Sequence, residues 1–159
     1  MKTGVLIVNL GTPDSPETPD VRKYLREFLM DGRVIDYPFI PRWMLVNLII
    51  APFRSPKSAK VYKELWTPAG SPLKVYGVEN EKQLQQVLGD NYIVKLAMRY
   101  QSPSIESSLV QLRDAGVSNI VVIPFFPQYA SATSGSVYEE VMRIATQWQA
   151  IPAIRFVNY

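Results

Sequence analysis

Four short runs rich in Val, Ile and Leu recur along the chain and alternate with segments of helical periodicity. The runs are Thr3–Val8, Tyr92–Met98, Ile120–Pro124 and Ala153–Val157. Their consecutive apolar positions are typical of strands that are buried on both faces of a parallel sheet. Strands that alternate with helices in this way predict a doubly wound α/β fold of the Rossmann-like kind, with a parallel four-stranded sheet and flanking helices.

Two of the intervening segments predict single helices between strands. Ser104–Gly116 opens with a hydroxyl residue suited to an N-cap, carries apolar residues at helical spacing and closes with Gly. A second helix is predicted from Thr133 or Ser134 to Gln149, with its apolar residues on one face. The length of 159 residues and the hydrophobic content of 47% predict one domain with its own core.

The connection between the first and second strands is unusually long. More than 80 residues separate them, whereas a plain βαβ unit needs about 30. Helices are predicted at Asp20–Met30, near Arg42–Ile50, at Ser55–Leu65 and at Pro72–Leu88. We therefore expect a large helical insertion after the first strand, and insertions of this size are usually functional.

Part of this insertion is apolar on nearly all sides and is followed at once by cations. The apolar residues lie between Phe39 and Phe53, and Arg54, Lys57 and Lys60 come next. Packing in the core explains such a helix. Contact with a flat apolar ligand that carries anionic groups, or with a membrane surface, explains it equally well. The apolar window is shorter than the roughly 20 residues that span a bilayer.

The residue types that are absent narrow the chemistry of this segment. The chain has no Cys and no His, which excludes disulfides, thiolate-bound metal clusters and a histidine base. The net charge of +3 comes from scattered residues, so nucleic acid is not an expected partner. No Gly-rich phosphate loop follows the first strand. We expect a cytoplasmic location, since the first apolar run is shorter than a signal-peptide core.

Ligands of an open parallel sheet bind beyond the carboxyl ends of its strands. There, Arg99 and Tyr100 are suited to pair a carboxylate and stack on a flat ring, although an Arg that ties down a loop explains them equally well. Residues 131–136 are small, and offer backbone N–H groups to an anion or simply form an N-cap and turn.

The chain resembles the ferrochelatases from Thr3 to Tyr159. Short motifs, each weak alone, carry the resemblance because they occur in family order and at family spacing. They are Val8-Asn9-Leu10-Gly11-Thr12-Pro13, Phe28-Leu29-Met30-Asp31, Arg54-Ser55-Pro56-Lys57, Tyr62, Gly70-Ser71-Pro72-Leu73, Met98-Arg99-Tyr100 and Pro127-Gln128-Tyr129-Ala130-Ser131-Ala132-Thr133-Ser134-Gly135-Ser136.

The resemblance implies the amino-terminal half of an enzyme that inserts ferrous iron into a porphyrin to form haem. In that family two similar α/β domains clasp the porphyrin, and amino-terminal elements form apolar lips that are often membrane-associated. It therefore implies a chelatase-type domain over residues 1–159, with the lips within 20–72 and the carboxyl-terminal domain absent. Ferrous iron is then a substrate rather than a cofactor, and peripheral membrane contact is an additional expectation.

The resemblance also implies a set of porphyrin-contacting residues. By position, Leu10 faces the porphyrin centre, where relatives carry Met or Tyr. Phe28 resembles a lip residue and Arg54 is suited to a propionate. The set is completed by Tyr62, Ser71, Arg99 and Tyr100. Some relatives bind a [2Fe–2S] cluster through a ligand at the position of Ser131, so no cluster is expected here.

The family's proton acceptor and metal ligand, a His with acidic partners, belong to the carboxyl-terminal half. We therefore expect no catalytic residue in this segment, weak or absent porphyrin binding and no metal insertion by the segment alone. Two other functions stay open, namely a non-catalytic flavodoxin-like small-molecule-binding module and a related tetrapyrrole chelatase for cobalt or nickel. The lipophilic insertion favours protoporphyrin over coproporphyrin.

Overall fold

A computed structural model, which describes residues 2–157, contains a four-stranded sheet with strand order β2-β1-β3-β4. All three neighbouring pairs are parallel. The strands are β1 (Thr3–Gly11), β2 (Tyr92–Tyr100), β3 (Asn119–Pro124) and β4 (Ala153–Phe156). The predicted parallel α/β fold is confirmed.

The first two strands run further than their apolar residues indicate. β1 ends at Gly11 instead of Val8, and β2 ends at Tyr100 instead of Met98. Gly11 and Tyr100 are paired in the parallel ladder. Each strand supplies hydrogen-bonding partners for the other, and this pairing outweighs the modest strand propensity of the added residues.

Within the described part of the chain, six α-helices flank the sheet or form the insertion. They are α1 (Thr18–Leu29), α2 (Phe39–Met44), α3 (Ala51–Leu65), α4 (Pro72–Leu88), α5 (Ile105–Asp114) and α6 (Ser136–Ala145). The predicted N-cap of α5 is confirmed, because Ser104 Oγ accepts a hydrogen bond of 3.1 Å from the Ser107 N–H. Among residues 2–157 no helix is long and apolar enough to cross a membrane.

Residues 39–65 form one continuous helical segment, where the sequence predicted two helices with a break before Ser55. Wider π-helical turns, Leu45–Ile50, join α2 to α3. Pro52 has no N–H to donate to the preceding turn. The ladder widens just before it, with the Ala51 N–H bonded to the Val46 carbonyl, so the helix passes through the proline without ending.

The start of α6 also differs from the prediction. Ser131–Gly135 form a π-helical turn, and the α-helix begins at Ser136 and ends at Ala145. The N–H groups of Thr133 and Gly135 both donate to the Ala130 carbonyl, at 3.2 and 3.1 Å. These donors are used within the turn, which favours the turn over the anion site.

The two faces of the sheet pack against different helices, as the alternation of side chains along a strand requires. Leu6 and Val8 pack against α5 and α6 on one face. Val5 and Ile7 pack with Leu84 of α4 on the other. A third apolar cluster forms beyond the carboxyl end of the sheet, where α1 and α3 cover Tyr100. In this strand order the direction of winding reverses between β1 and β3, which is where such sheets bind ligands.

Candidate functional site

A cavity of about 280 Å³ opens where β1 ends against the insertion. Its walls come from the end of β1, the end of α3 and the start of α4. The lining residues are Gly11, Thr12, Tyr62, Leu65, Trp66, Ser71, Pro72 and Leu73. A larger hollow of about 360 Å³, lined in part by Val117 and Trp148, lies at the opposite, amino-terminal edge of the sheet. Topology therefore selects the first as the candidate site.

Two hydroxyl groups hold the walls of the cavity together. Thr12 Oγ1 donates a hydrogen bond of 2.8 Å to Ser71 Oγ. Both residues are buried, with 4% and 6% of their surfaces exposed. The bond joins the loop after β1 to the residue that precedes α4, so the first crossover is fixed at the mouth of the site.

A row of aromatic rings, which we call the aromatic cluster, leads from the cavity to the end of β2. Its members are Trp66, Tyr62, Tyr24, Phe28 and Tyr100. Successive ring centroids are 6.5 Å apart for Trp66 and Tyr62, 6.3 Å for Tyr62 and Tyr24, and 6.5 Å for Tyr24 and Tyr100. Phe28 lies edge-to-face on Tyr100 at 5.2 Å. Such geometry is favourable for aromatic pairs.

A polar network lies behind the Tyr100 ring, and we call it the Asp31 network. Asp31 Oδ2 accepts hydrogen bonds from the Tyr100 hydroxyl (2.8 Å), from Arg99 (2.9 Å) and from the Ser136 hydroxyl. Arg99 Nε donates to Ser136 Oγ at 2.6 Å. The side chains of Arg99 and Asp31 are 16% and 7% exposed, so this ion pair is largely shielded from water.

The environment sets the protonation of two members of this network. Burial would raise the pKa of Asp31, but hydrogen bonds from Ser136, the Arg33 N–H and Tyr100, together with the charge of Arg99, outweigh it and hold that pKa below its usual range. Burial raises the pKa of the Tyr100 hydroxyl far above its usual value. At neutral pH, Asp31 is therefore an anion and Tyr100 is its donor.

The family of the chain follows from its whole length. The model of the family described as Ferrochelatase matches residues 2–159. The chain belongs to the ferrochelatase family.

Curated ferrochelatases agree with this assignment. The ferrochelatase of Coxiella burnetii (strain Dugway 5J108-111) is 50% identical over 140 residues, which are 88% of this chain and 40% of that protein. Ferrochelatases of Legionella pneumophila (strain Corby) and Shewanella denitrificans are 45% and 43% identical, and each match covers 99% of this chain. The chain spans 47% and 49% of their lengths, so it corresponds to about half of a ferrochelatase.

The structure brings most of the residues predicted from the ferrochelatase resemblance to one end of the sheet. Tyr62 and Ser71 line the cavity. Leu10 and Phe28 pack into the same apolar cluster as Tyr62 and the fully buried Tyr100. Arg99 is held in the Asp31 network behind Tyr100. Leu10 presents only apolar atoms to its surroundings.

Arg54 does not share this location. It is exposed on α3 and does not line the cavity. Tyr62 follows it by eight residues, which is about 12 Å along a helix. Lys57 and Lys60 are also exposed on α3, so the cations form a surface beyond the cavity wall.

Of the two sequence interpretations of Arg99, the structure shows the loop-tying one. Its guanidinium contacts Asp31 and Ser136 and lies 4.7 Å from the centre of the Tyr100 ring. Sequence reasoning did not place Asp31 or Ser136 in the site. Both lie within motifs of the family resemblance, and that is the only signal in the sequence, because their contact joins positions 105 residues apart.

The apolar part of the insertion is only partly accounted for by core packing. Val46 and Ala51 are fully buried, but the other side of this helical segment faces solvent. The exposed apolar residues are Phe39, Ile40, Trp43, Met44, Leu48, Ile49 and Phe53, with exposed fractions of 45% to 74%. We call them the apolar surface. Exposed apolar patches of this kind are typical of surfaces that contact a partner, a ligand or a membrane.

Proposed function

We propose that this chain is the amino-terminal, porphyrin-binding half of an enzyme that inserts ferrous iron into protoporphyrin IX to form protohaem. The observation that carries the proposal is the apolar cavity, with its aromatic cluster, at the carboxyl end of β1 in a sheet from the ferrochelatase family. Pockets of this kind, apolar with a few convergent polar groups, are typical of small-molecule sites.

The cavity suits one face of a flat macrocycle. Tyr62 and Trp66 offer ring surfaces, Phe28 and Leu10 extend the apolar wall, and the Ser71 hydroxyl is the polar contact. Aromatic faces stack on planar π systems with little loss of conformational freedom. In this proposal the macrocycle enters between α3 and the end of β1.

The cations of α3 suit the carboxylates of the substrate. Arg54, Lys57 and Lys60 are exposed on the helix that also carries Tyr62. A porphyrin in the cavity would direct its propionates toward solvent along this helix, where Arg54 offers a bidentate donor. Protoporphyrin carries fewer carboxylates than coproporphyrin and suits the largely apolar walls better.

Metal insertion requires deformation of the macrocycle, removal of two pyrrole protons and delivery of a desolvated metal ion. The residues described here supply the first requirement in this proposal, by packing against the ring. The proton acceptor and the metal ligands are proposed for the carboxyl-terminal half that longer relatives contain. Ferrous iron is the substrate, and no resident cofactor is proposed.

Peripheral contact with an anionic bilayer is part of the proposal. The apolar surface lies next to the cations of α3 along one helical segment. Apolar burial combined with attraction to anionic headgroups is what holds an interfacial helix at a membrane. A cytoplasmic enzyme with this surface would bind vesicles that contain anionic lipid, and Phe53→Ser with Ile49→Ser should release it.

Porphyrin titration tests the proposal. Two proteins are titrated with protoporphyrin and, separately, with FMN. One is residues 1–159, and the other is the protein encoded by the whole reading frame, which we call the whole product. Trp66 lines the cavity and Trp43 lies on the apolar surface, so Trp66→Phe should abolish most of the quenching by porphyrin while Trp43→Phe preserves it. Quenching by FMN instead of porphyrin would support the flavodoxin-like alternative.

A metalation assay completes the test. The whole product should insert ferrous iron, and residues 1–159 alone should not. Ferrous-iron turnover by residues 1–159 at the rate of the whole product would contradict the assignment as one half of the enzyme. Turnover of the whole product with cobalt or nickel but not with iron would favour the related chelatase.

A further inference from the structure

We propose that Asp31 is a positioning residue of the porphyrin site. Together with Ser136 it holds the Tyr100 ring in place, and the Tyr100 ring in turn holds Phe28. This inference rests on the proposed porphyrin-binding function. It assigns to the site a carboxylate and a hydroxyl that do not line the cavity.

Three donors converge on one oxygen of Asp31. Asp31 Oδ2 accepts from Tyr100, Arg99 and Ser136, and Oδ1 accepts from the Arg33 N–H at 2.7 Å. Ser136 Oγ in turn accepts from Arg99 at 2.6 Å. Each of these donors already has an acceptor within the network. The orientation of the Tyr100 hydroxyl is therefore set by Asp31 and not by solvent.

Asp31 lies at the junction between α1 and the rest of the insertion. It follows the end of α1 and is three residues after Phe28. The loop after it leads into the helical segment that carries the apolar surface. Arg33 in this loop donates to Glu139 and, at 3.2 Å, to Ser131. Asp31 and Arg33 together fasten this part of the insertion to the start of α6.

A hydrogen bond to Tyr100, followed by ring contacts, connects Asp31 to the rest of the aromatic cluster. The Tyr100 ring contacts Phe28 at 5.2 Å and Tyr24 at 6.5 Å between centroids, and Tyr24 contacts Tyr62 at the cavity wall. A rotation of Tyr100 therefore displaces Phe28 and Tyr24 together. Small displacements of positioning groups reduce activity strongly even when the groups touch no substrate.

Substitution of Asp31 by Asn tests this chain of contacts. An Asn amide has one oxygen, so its NH₂ group faces either the three donors at Oδ2 or the Arg33 N–H at Oδ1. In the first orientation the part-buried donors Tyr100, Arg99 and Ser136 lose their acceptor, and in the second the exposed Arg33 N–H loses its own. Ser136→Ala is the milder variant, because it preserves the Asp31–Arg99 ion pair. Asp36→Asn is the matched control, since Asp36 is exposed on the same loop.

The measurements are made on the whole product. We expect Asp31→Asn and Ser136→Ala to raise the KM for porphyrin, by roughly tenfold to a hundredfold for Asp31→Asn, while the KM for iron stays unchanged. In a double-mutant cycle, Tyr100→Phe combined with Asp31→Asn should lose no more porphyrin affinity than Asp31→Asn alone. The Soret band of bound porphyrin should shift in both variants, because the ring would be packed differently.

A porphyrin-free readout separates this inference from the proposed function. In the free protein, nuclear Overhauser contacts between Tyr100 and Phe28 should weaken in Asp31→Asn and Ser136→Ala and persist in Asp36→Asn. Failure of the wild-type product to bind porphyrin would overturn the proposed function alone. The positioning role would be overturned if Ser136→Ala and a folded Asp31→Asn both kept the wild-type KM for porphyrin. It would also be overturned if the affinity losses of Tyr100→Phe and Asp31→Asn were fully additive in the double mutant. If Asp31→Asn does not fold, the positioning role is tested with Ser136→Ala and with the double-mutant cycle of Ser136→Ala and Tyr100→Phe.

Discussion

Gly11 lies so close to β2 that a β-carbon on it would be 2.1 Å from the carbonyl oxygen of Tyr100. Gly11 also has a φ of +118°, a backbone conformation that L side chains rarely adopt. The two residues are paired at the end of the β1–β2 ladder. The cavity begins at this point, so glycine at position 11 is what lets the two strands remain paired up to its edge.

Gly11→Ala should therefore be much more destabilising than the same change at Gly70. Gly70 has a φ of +112° but open space around it. Strain alone should lower the free energy of unfolding of Gly70→Ala by about 1 to 2 kcal/mol. Gly11→Ala should lose an additional 1 to 3 kcal/mol or so from the clash with backbone. Urea unfolding of both variants measures the difference, and equal losses would contradict the close approach.

Asp31→Asn should lower stability in a pH-dependent way. Removing one partner of a fully buried ion pair costs about 3 to 5 kcal/mol, and the part-buried Asp31–Arg99 pair should lose somewhat less. Because folding lowers the pKa of Asp31, its stabilising contribution is present above about pH 4, the ordinary aspartate range, and is lost as the pH falls through the folded-state value. The difference in unfolding free energy between wild type and Asp31→Asn should be largest near pH 7 and shrink below pH 4 or so.

The control for this prediction is Asp36→Asn, on the exposed part of the same loop. It should change the free energy of unfolding by less than about 0.5 kcal/mol at either pH. A difference between wild type and Asp31→Asn that grew toward acid pH would show that Asp31 is not a stabilised anion.

Tyr62→Ala should weaken porphyrin binding by the whole product about tenfold, the equivalent of roughly 1.4 kcal/mol for a lost aromatic contact. Tyr62→Phe should bind nearly as well as wild type, since the ring and its contacts with Tyr24 and Trp66 remain. Val61→Ala, at an exposed neighbouring position, is the control. Equal affinity of the Ala and Phe variants, measured by fluorescence titration, would remove Tyr62 from the site.

Arg54→Gln should weaken binding of the free-acid porphyrin and leave binding of its dimethyl ester unchanged. The pair is exposed, so a loss of about twofold to fivefold is expected, and it should fade as salt is added. Lys82→Gln, at an exposed position on α4, is the charge-matched control. A loss of equal size with the ester would show that Arg54 contributes packing instead of charge recognition.

The sequence predicted those parts of the fold that depend on local pattern. The apolar runs marked all four strands, and the Ser104 hydroxyl marked the start of α5, because each signal lies within a few neighbouring residues. It underestimated β1, whose last residues are strand only because β2 pairs with them. It also divided the helical segment at 39–65, since proline normally ends a helix and the widening of the ladder before Pro52 has no sequence signal.

The candidate site also contains residues that the sequence pointed to and contacts that it could not reveal. The family motifs brought Tyr62, Ser71 and Tyr100 to attention, and the structure places them at one end of the sheet. The partnership of Asp31 with Ser136 was not predictable, since it depends on how the insertion folds back over 105 positions. Long-range polar contacts of this kind carry no periodicity that a single sequence reveals.

Residues 39–65 run as one unbroken helical segment from the apolar surface to the cavity. A helical rod of this length extends roughly 40 Å at 1.5 Å per residue. Its outer end carries Phe39 and Trp43, and its inner end carries Tyr62 at the cavity wall. If the apolar surface attaches to a bilayer as proposed, one helical segment would carry both the attachment site and a wall of the cavity.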